Sequence, residues 1–179
     1  EVLDDYSLED LARYIGWSPF FWAWEMKGTF PKILDHPERG EEARKLYGDG
    51  RRLLGRIVAE RWLTARGVYG FWPAAAEGDD VVVFEDESRR DELARFHFLR
   101  QQWLRKDRDC YYSLADFVAP RESGRRDYVA AFAVTAGIGA ADAVARFQAE
   151  QDDYRAIMLK VLADRLAEAF AERVHELAR

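Results

Sequence analysis

The sequence predicts an α+β domain, on three observations. The last stretch, residues 152–179, contains neither Gly nor Pro and repeats apolar residues at helical spacing. The middle carries two short β-rich runs, residues 68–74 and 81–84, on either side of Glu77-Gly78-Asp79-Asp80, a good turn sequence. Helical and strand-like segments alternate too irregularly for a βαβ repeat. With 179 residues, 49% of them hydrophobic, the chain is ample for one core and short for two.

In chain order, Ser7-Leu8-Glu9-Asp10 reads as a helix start, with a Ser cap and acidic residues in the first turn. Residues 16–24 then place five aromatics in nine positions, a density that belongs to a core. Pro19 suits the first turn of a helix there, with Ser18 as its cap. Residues 28–40, with Pro31 and Pro37, form a loop-rich connection. The pattern predicts a helix over 41–65 that buries Ala43, Leu46, Tyr47, Leu53, Leu54, Ile57, Val58 and Trp62 and ends at Gly67. After the hairpin, residues 89–106 predict a helix carrying Leu93, Phe96, Leu99 and Trp103. Residues 113–120 read as a strand or strand end, and YVAAFAVT, residues 128–135, as a buried strand. Residues 142–150 begin a helix that leads into the final one.

That final helix carries Met158, Leu162, Leu166, Phe170, Val174 and Leu177 as one apolar stripe. At roughly 100° per residue, Asp164, Glu168, Glu172 and His175 fall on the opposite side. Such a row either faces water or meets a ligand or partner, and residue chemistry alone favours water.

Composition excludes several classes. Net charge is -6, with 27 basic and 33 acidic residues interspersed, so no basic stripe points to nucleic acid. The pairs Arg51-Arg52, Arg89-Arg90 and Arg125-Arg126 sit among carboxylates and read as scattered surface charge. Cys110 is the single cysteine, which excludes an internal disulfide and a CxxC metal site and fits a reducing, cytoplasmic compartment. Its thiol, followed by two tyrosines, reads as buried or inert. No apolar run approaches the roughly 18 residues of a membrane span, and no signal peptide opens the chain. A start at Glu1 rather than Met is expected of a piece of a longer protein.

Generic catalytic motifs are absent: there is no GxGxxG, P-loop, HExxH or GxSxG. His36, His97 and His175 lack ligand spacing, so no metal site is expected. Turn and helix-cap duty account for Asp79-Asp80 and Asp152-Asp153.

GWSPFFWAWEMKG with FPKIL, then GVYGFWPA, GDD and a valine strand, resembles the activation domain of cobalamin-dependent methionine synthase. The likeness continues through LRQQW, SLADFVAP, SG-x-x-DYVAAFAVTAG and DDYRAIMLKVLADRLAEAFAERVHE, covering nearly the whole chain in collinear order. Membership implies a twisted antiparallel sheet with flanking helices and the long C-terminal helix. It also implies a role: binding S-adenosylmethionine beside the cobalamin-binding module once that cofactor has oxidised to inert cob(II)alamin. An electron from a flavodoxin-type donor and the methyl group of S-adenosylmethionine then restore methylcobalamin. The whole enzyme is a methyltransferase of methionine biosynthesis; no catalytic residue, and no turnover, is expected of residues 1–179 alone.

Carried over by position, the resemblance gives Glu168 as the acidic partner of the sulfonium and ammonium of S-adenosylmethionine. Asp164 becomes the aspartate that faces the docked cobalamin module and holds its displaced histidine. Three departures follow. The family aspartate before the WTPFF-like block, a ligand contact, is Gly16 here, and losing one charge-assisted contact costs about 1.5–3 kcal/mol, roughly ten- to a hundred-fold in affinity. The family's downstream RxxxGY-type segment lies outside residues 1–179, and its second acidic partner for the histidine is replaced by Gly139-Ala140-Ala141. The expected S-adenosylmethionine site is therefore weak or incomplete. Two readings stay open: a methionine synthase activation module, or a shortened docking module that clamps the cobalamin domain with little ligand binding.

Overall fold

The computed structural model describes residues 1–103 and 110–179. The elements are β1 (Val2–Tyr6), α1 (Leu8–Ala12), α2 (Trp17–Trp22), α3 (Gly40–Ala59), β2 (Thr64–Glu77), β3 (Asp80–Phe84), β4 (Glu92–His97), β5 (Asp127–Ile138), α4 (Ala140–Ala149) and α5 (Asp153–Leu177), with short 3₁₀ turns between. The sheet runs β1-β2-β3-β4, and β5 also pairs with β2. The β1–β2, β2–β3 and β3–β4 pairings are antiparallel. This is the α+β class, with a long C-terminal helix, that the sequence implies. Among the described residues no helix is long and apolar enough to cross a membrane.

Two compact units make up the chain: residues 1–68 with 132–179, and residues 69–131. In the first, α5 is the central element and packs against α1, α2, α3 and α4. Asp152 caps it, accepting from the Arg155 amide at 2.9 Å, and so satisfies one of the orphan donors at the helix start. Leu162, Leu166, Phe170 and Val174 are buried as the stripe predicts, together with Leu11, Phe20, Phe21 and Ile57 from the other helices. Phe170 stacks on Tyr6 with ring centroids 4.9 Å apart. Leu177 departs from expectation: the stripe runs out one turn early and its side chain is exposed.

Several further expectations are corrected. Gly16, not Ser18, is the N-cap of α2; the Ser18 hydroxyl instead accepts from the Phe30 amide at 2.9 Å. Of the aromatic block, Trp17, Phe20 and Phe21 are core, whereas Trp22 is 55% exposed. Ser7 does cap α1, accepting from the Asp10 amide. The α3 helix ends at Ala59, not near Gly67, because Arg61 takes a positive φ of 52° and turns the chain. Trp62, placed on the buried side of that helix, lies beyond its end and is only half-buried. Gly67 lies inside β2, where Phe170 and Val134 pack so close that a Cβ would meet Phe170 at 2.9 Å.

The second unit is built on the predicted hairpin. Glu77 pairs with Asp80 across the Gly78-Asp79 turn, and Gly78 adopts the positive φ (65°) that a tight connection needs. Val81, Val82, Val83 and Phe84 are buried. The helix expected over 89–106 is not there: residues 92–97 form β4, registered on β3 with Val81 opposite Phe96. Cross-strand partners outweigh helix propensity in that segment; residues 104–106 lie outside the described part. The segment expected as a strand or strand end at 113–120 opens instead as a 3₁₀ turn, Leu114–Phe117, closed by a Ser113–Asp116 capping box. Only its end pairs: the Ala76 amide donates to the Ala119 carbonyl at 3.0 Å, and Pro120 forms a parallel bridge with Ala76 of β2. β5 is a strand as expected, but it is not buried, since residues 130–133 are all exposed. Cys110 is exposed, which removes the buried alternative for its thiol. Arg89 is no loose surface charge. Its guanidinium donates to the Ala74 carbonyl at 2.9 Å and the Asp127 carbonyl at 2.8 Å, clasping β2 to the start of β5.

Candidate functional site

The outer side of α5 presents Asp164, Glu168, Glu172 and His175, all exposed. Asp164 is 81% exposed, and its nearest cation is the neighbouring Arg165 at 3.9 Å. Glu168 and Glu172 have no ion pair or hydrogen bond among the described residues. Carboxylates one helical turn apart repel each other modestly, so the row costs the helix stability unless something cationic meets it. At its foot His175 stands edge-on to Phe132 of β5, ring centroids 5.1 Å apart and planes at 79°. The site is thus an acidic strip, with Glu168 and Glu172 unneutralised among the described residues and an aromatic lower end.

What holds the strip in orientation lies on the other side of α5. Arg173 Nε donates to the Tyr6 hydroxyl at 2.9 Å and to Asp10 Oδ2 at 3.1 Å. Its Nη1 donates to the Tyr14 hydroxyl at 3.2 Å and to Glu176 Oε2 at 2.6 Å. Tyr14 also donates to Glu176. The hydrogen bonds of Tyr14 and Arg173 hold the Glu176 carboxyl below its ordinary range. Charge-assisted bonds from one guanidinium to β1 and α1 therefore fix the rotation of α5. Sequence reasoning missed this network, because its members lie up to 167 residues apart and no local pattern joins them.

Gly16 sits exposed at the start of α2, with φ −74° and ψ 111°. A Cβ there would meet nothing within 4 Å, so neither Asp164 nor Glu168 lies against it. The structure brings the two carboxylates onto one exposed face of α5. Gly139 caps α4 in the left-handed region at φ 95°, and Ala140 begins the helix, so this position offers no side-chain acceptor. No group of three or more His, Cys, Asp or Glu residues able to hold a metal ion occurs among the described residues.

Fold and site together define an α+β module with an exposed row of carboxylates on its long C-terminal helix. Residues 7–179 match the family described as "Vitamin B12 dependent methionine synthase, activation domain", and the chain belongs to it. It is also similar to the MetH reactivation domain, solved as a crystal structure bound to AdoHcy, at 45% identity and a TM-score of 0.91. That match covers 98% of this chain and 54% of the other, so the chain spans about half the length of that protein.

Proposed function

We propose that residues 1–179 act as one activation module of a cobalamin-dependent methionine synthase. In this reading the module binds S-adenosylmethionine next to the cobalamin-binding module and supports reductive remethylation with a flavodoxin-type electron donor, in a cytoplasmic, reducing setting. The observation that carries it is the exposed carboxylate row on α5, with Glu168 and Glu172 unpaired among the described residues, in a chain 45% identical to a reactivation domain bound to AdoHcy. A sulfonium and an ammonium are the cations such a row can meet without a metal.

The cobalamin belongs to the partner module and supplies the methyl-accepting centre. The residues of this chain orient the donor. Glu168 neutralises the cationic end of S-adenosylmethionine, and Asp164, one turn away, meets the partner module and accepts a hydrogen bond from its displaced histidine. The exposed carboxylates fit both duties; Gly16, with no side chain, contributes none. Glycine at that position favours a second reading, in which the chain chiefly clamps the cobalamin module and binds S-adenosylmethionine weakly.

Calorimetric titration with S-adenosylmethionine and with AdoHcy separates them. We expect weak binding of the sulfonium ligand, abolished by Glu168→Gln. Tight binding unaffected by Glu168→Gln would refute the assignment of Glu168, and no binding beside retained association with the cobalamin module would favour the clamp.

A further inference from the structure

A hollow of about 380 Å³ opens between α3 and the start of α5, and Arg52, Arg56 and Arg155 line it together with Asp49, Asp152 and Tyr154. The two carboxylates are already engaged. Asp49 takes Arg52 on one oxygen and the Tyr154 hydroxyl on the other, the latter at 2.9 Å. Asp152 caps α5 and pairs with Arg155 Nε at 3.3 Å. Burial first, then the bond to Asp49, pushes the Tyr154 phenol up to about 12, so it stays a neutral donor.

The arginines, by contrast, are engaged on one edge only. Arg56 Nε binds Glu60 at 3.1 Å and Arg155 Nε faces Asp152, while their terminal nitrogens make no hydrogen bond among the described residues. Both are braced by aromatic rings. Arg56 lies 4.8 Å over Trp62 and Arg155 6.0 Å over Phe147, and these two rings pack edge to face at 5.8 Å. Such bracing lowers the entropy lost when a guanidinium closes on an anion. Arg146 adds positive potential nearby: after the hydrogen bonds from Arg56 and Trp62, its charge also helps to hold the Glu60 carboxyl below its ordinary range.

We propose that this hollow is a phosphate site, closed by the free terminal N–H groups of Arg56 and Arg155 with Arg52 at its rim. A multivalent oxyanion is required, because it has to compete with carboxylates already seated on the same guanidiniums; chloride or a monocarboxylate does not. Arg155 and Glu168 stand thirteen residues apart on α5, on the order of 20 Å along the axis, so this site is separate from the acidic strip and independent of the function proposed above.

The test is titration of the chain with inorganic phosphate, pyrophosphate and adenosine monophosphate, against chloride at matched ionic strength, read by the arginine Nε–Hε resonances. Phosphate and pyrophosphate shift Arg56 and Arg155 saturably, pyrophosphate more tightly. The double variant Arg56→Gln/Arg155→Gln weakens both by about tenfold or more. Near-UV dichroism reports whether that variant folds; the single Arg155→Gln, at an exposed position, carries the same test if it does not. Tighter binding of adenosine monophosphate than of phosphate assigns the site to a phosphorylated small molecule, and equal or weaker binding assigns it to free phosphate. Equal shifts with chloride, or unchanged pyrophosphate binding in the variants, overturn the proposal.

Discussion

Arg173 reaches Asp10 at 3.1 Å on the side of α5 turned away from Glu168, so the helix that displays the acidic strip is fixed by an ion pair it does not display. Five residues, about 140° around the helix at roughly 100° per residue, separate the lock from Glu168. Arg173→Ala is expected to lower the denaturant midpoint, since it strands Asp10 and Glu176 without their cation. Arg173→Lys is expected to recover only part of the loss, because an ammonium cannot reproduce the planar fork that serves four partners. Equilibrium unfolding of the two variants checks this; equal midpoints for wild type and Arg173→Ala would remove the lock.

At the tip of the hairpin in residues 69–131, Arg100 binds Asp79 and Asp116, and Arg95 binds Glu77 and Glu92. Arg100, with the Ser113 amide, lowers the Asp116 carboxyl to about 2, and arginine partners also lower Glu77 and Glu92. Folded values below the unfolded ones mean that this stabilisation is complete above the unfolded value, about 4 for Asp, and is lost as pH falls toward 2. The protection of amides in residues 69–103 and 110–131 against hydrogen exchange, corrected for the intrinsic rate at each pH, is therefore expected to fall between those limits. Asp116→Asn should flatten the response while lowering stability at neutral pH; an unchanged acid profile in that variant would count against the pairing.

How much of this was legible in the sequence depended on the range of the interaction. The Ser7 cap, the Asp152 cap and the Glu77–Asp80 turn are settled within four residues, and each was read correctly. Residues 92–97 were misread as helix because Leu93 and Phe96 keep helical spacing, whereas the deciding partners are Val81 and Val83, more than ten residues away. For the site, spacing alone placed Asp164 and Glu168 on one face. The roles proposed for them rest on the resemblance, and the Arg173 network follows from neither spacing nor resemblance.

The apolar strand β5 carries a further consequence. Its sequence, YVAAFAVT, is that of a core strand, yet residues 130–133 are exposed and Phe132 is 41% accessible. Exposed apolar surface of this kind binds hydrophobic probes and promotes association. The chain is expected to enhance the fluorescence of an anilinonaphthalene sulfonate dye while fully folded, and Ala131→Lys to reduce that signal with little change in melting temperature. Absence of dye binding in the wild type would show that this surface is covered in solution.

Gly16 allows a gain-of-contact test. A Cβ at this position meets nothing within 4 Å, and its φ is ordinary for any residue. Gly16→Asp places a preferred cap at the start of α2, worth a few tenths of a kcal/mol over glycine. It also restores the carboxylate that the resemblance assigns to ligand contact. If that assignment holds, the affinity for S-adenosylmethionine rises about tenfold or more. A stability gain with no change in affinity would separate capping from ligand binding and leave Glu168 as the only acidic contact.

Two glycines of α3 give opposite outcomes for the same substitution. Gly50 faces Phe20, where a Cβ would come within 2.7 Å of Cζ and 3.2 Å of Cε2 of a fully buried ring. Phe20 is itself packed edge-on against Trp17 and Phe21, at 5.2 and 5.6 Å, so it has little room to retreat. Overpacking of this kind costs about 1–3 kcal/mol, against the roughly 1 kcal/mol that replacing a mid-helix glycine by alanine returns. Gly50→Ala is therefore expected to be neutral to destabilising by about 2 kcal/mol. Gly55 lies five residues on, exposed, with nothing within 4 Å of its Cβ, and Gly55→Ala should stabilise by about 1 kcal/mol. Urea unfolding of the two single variants reads both signs. Stabilisation by both would show that Phe20 can yield, and that the close approach at Gly50 is not what sets the seating of α2 on α3.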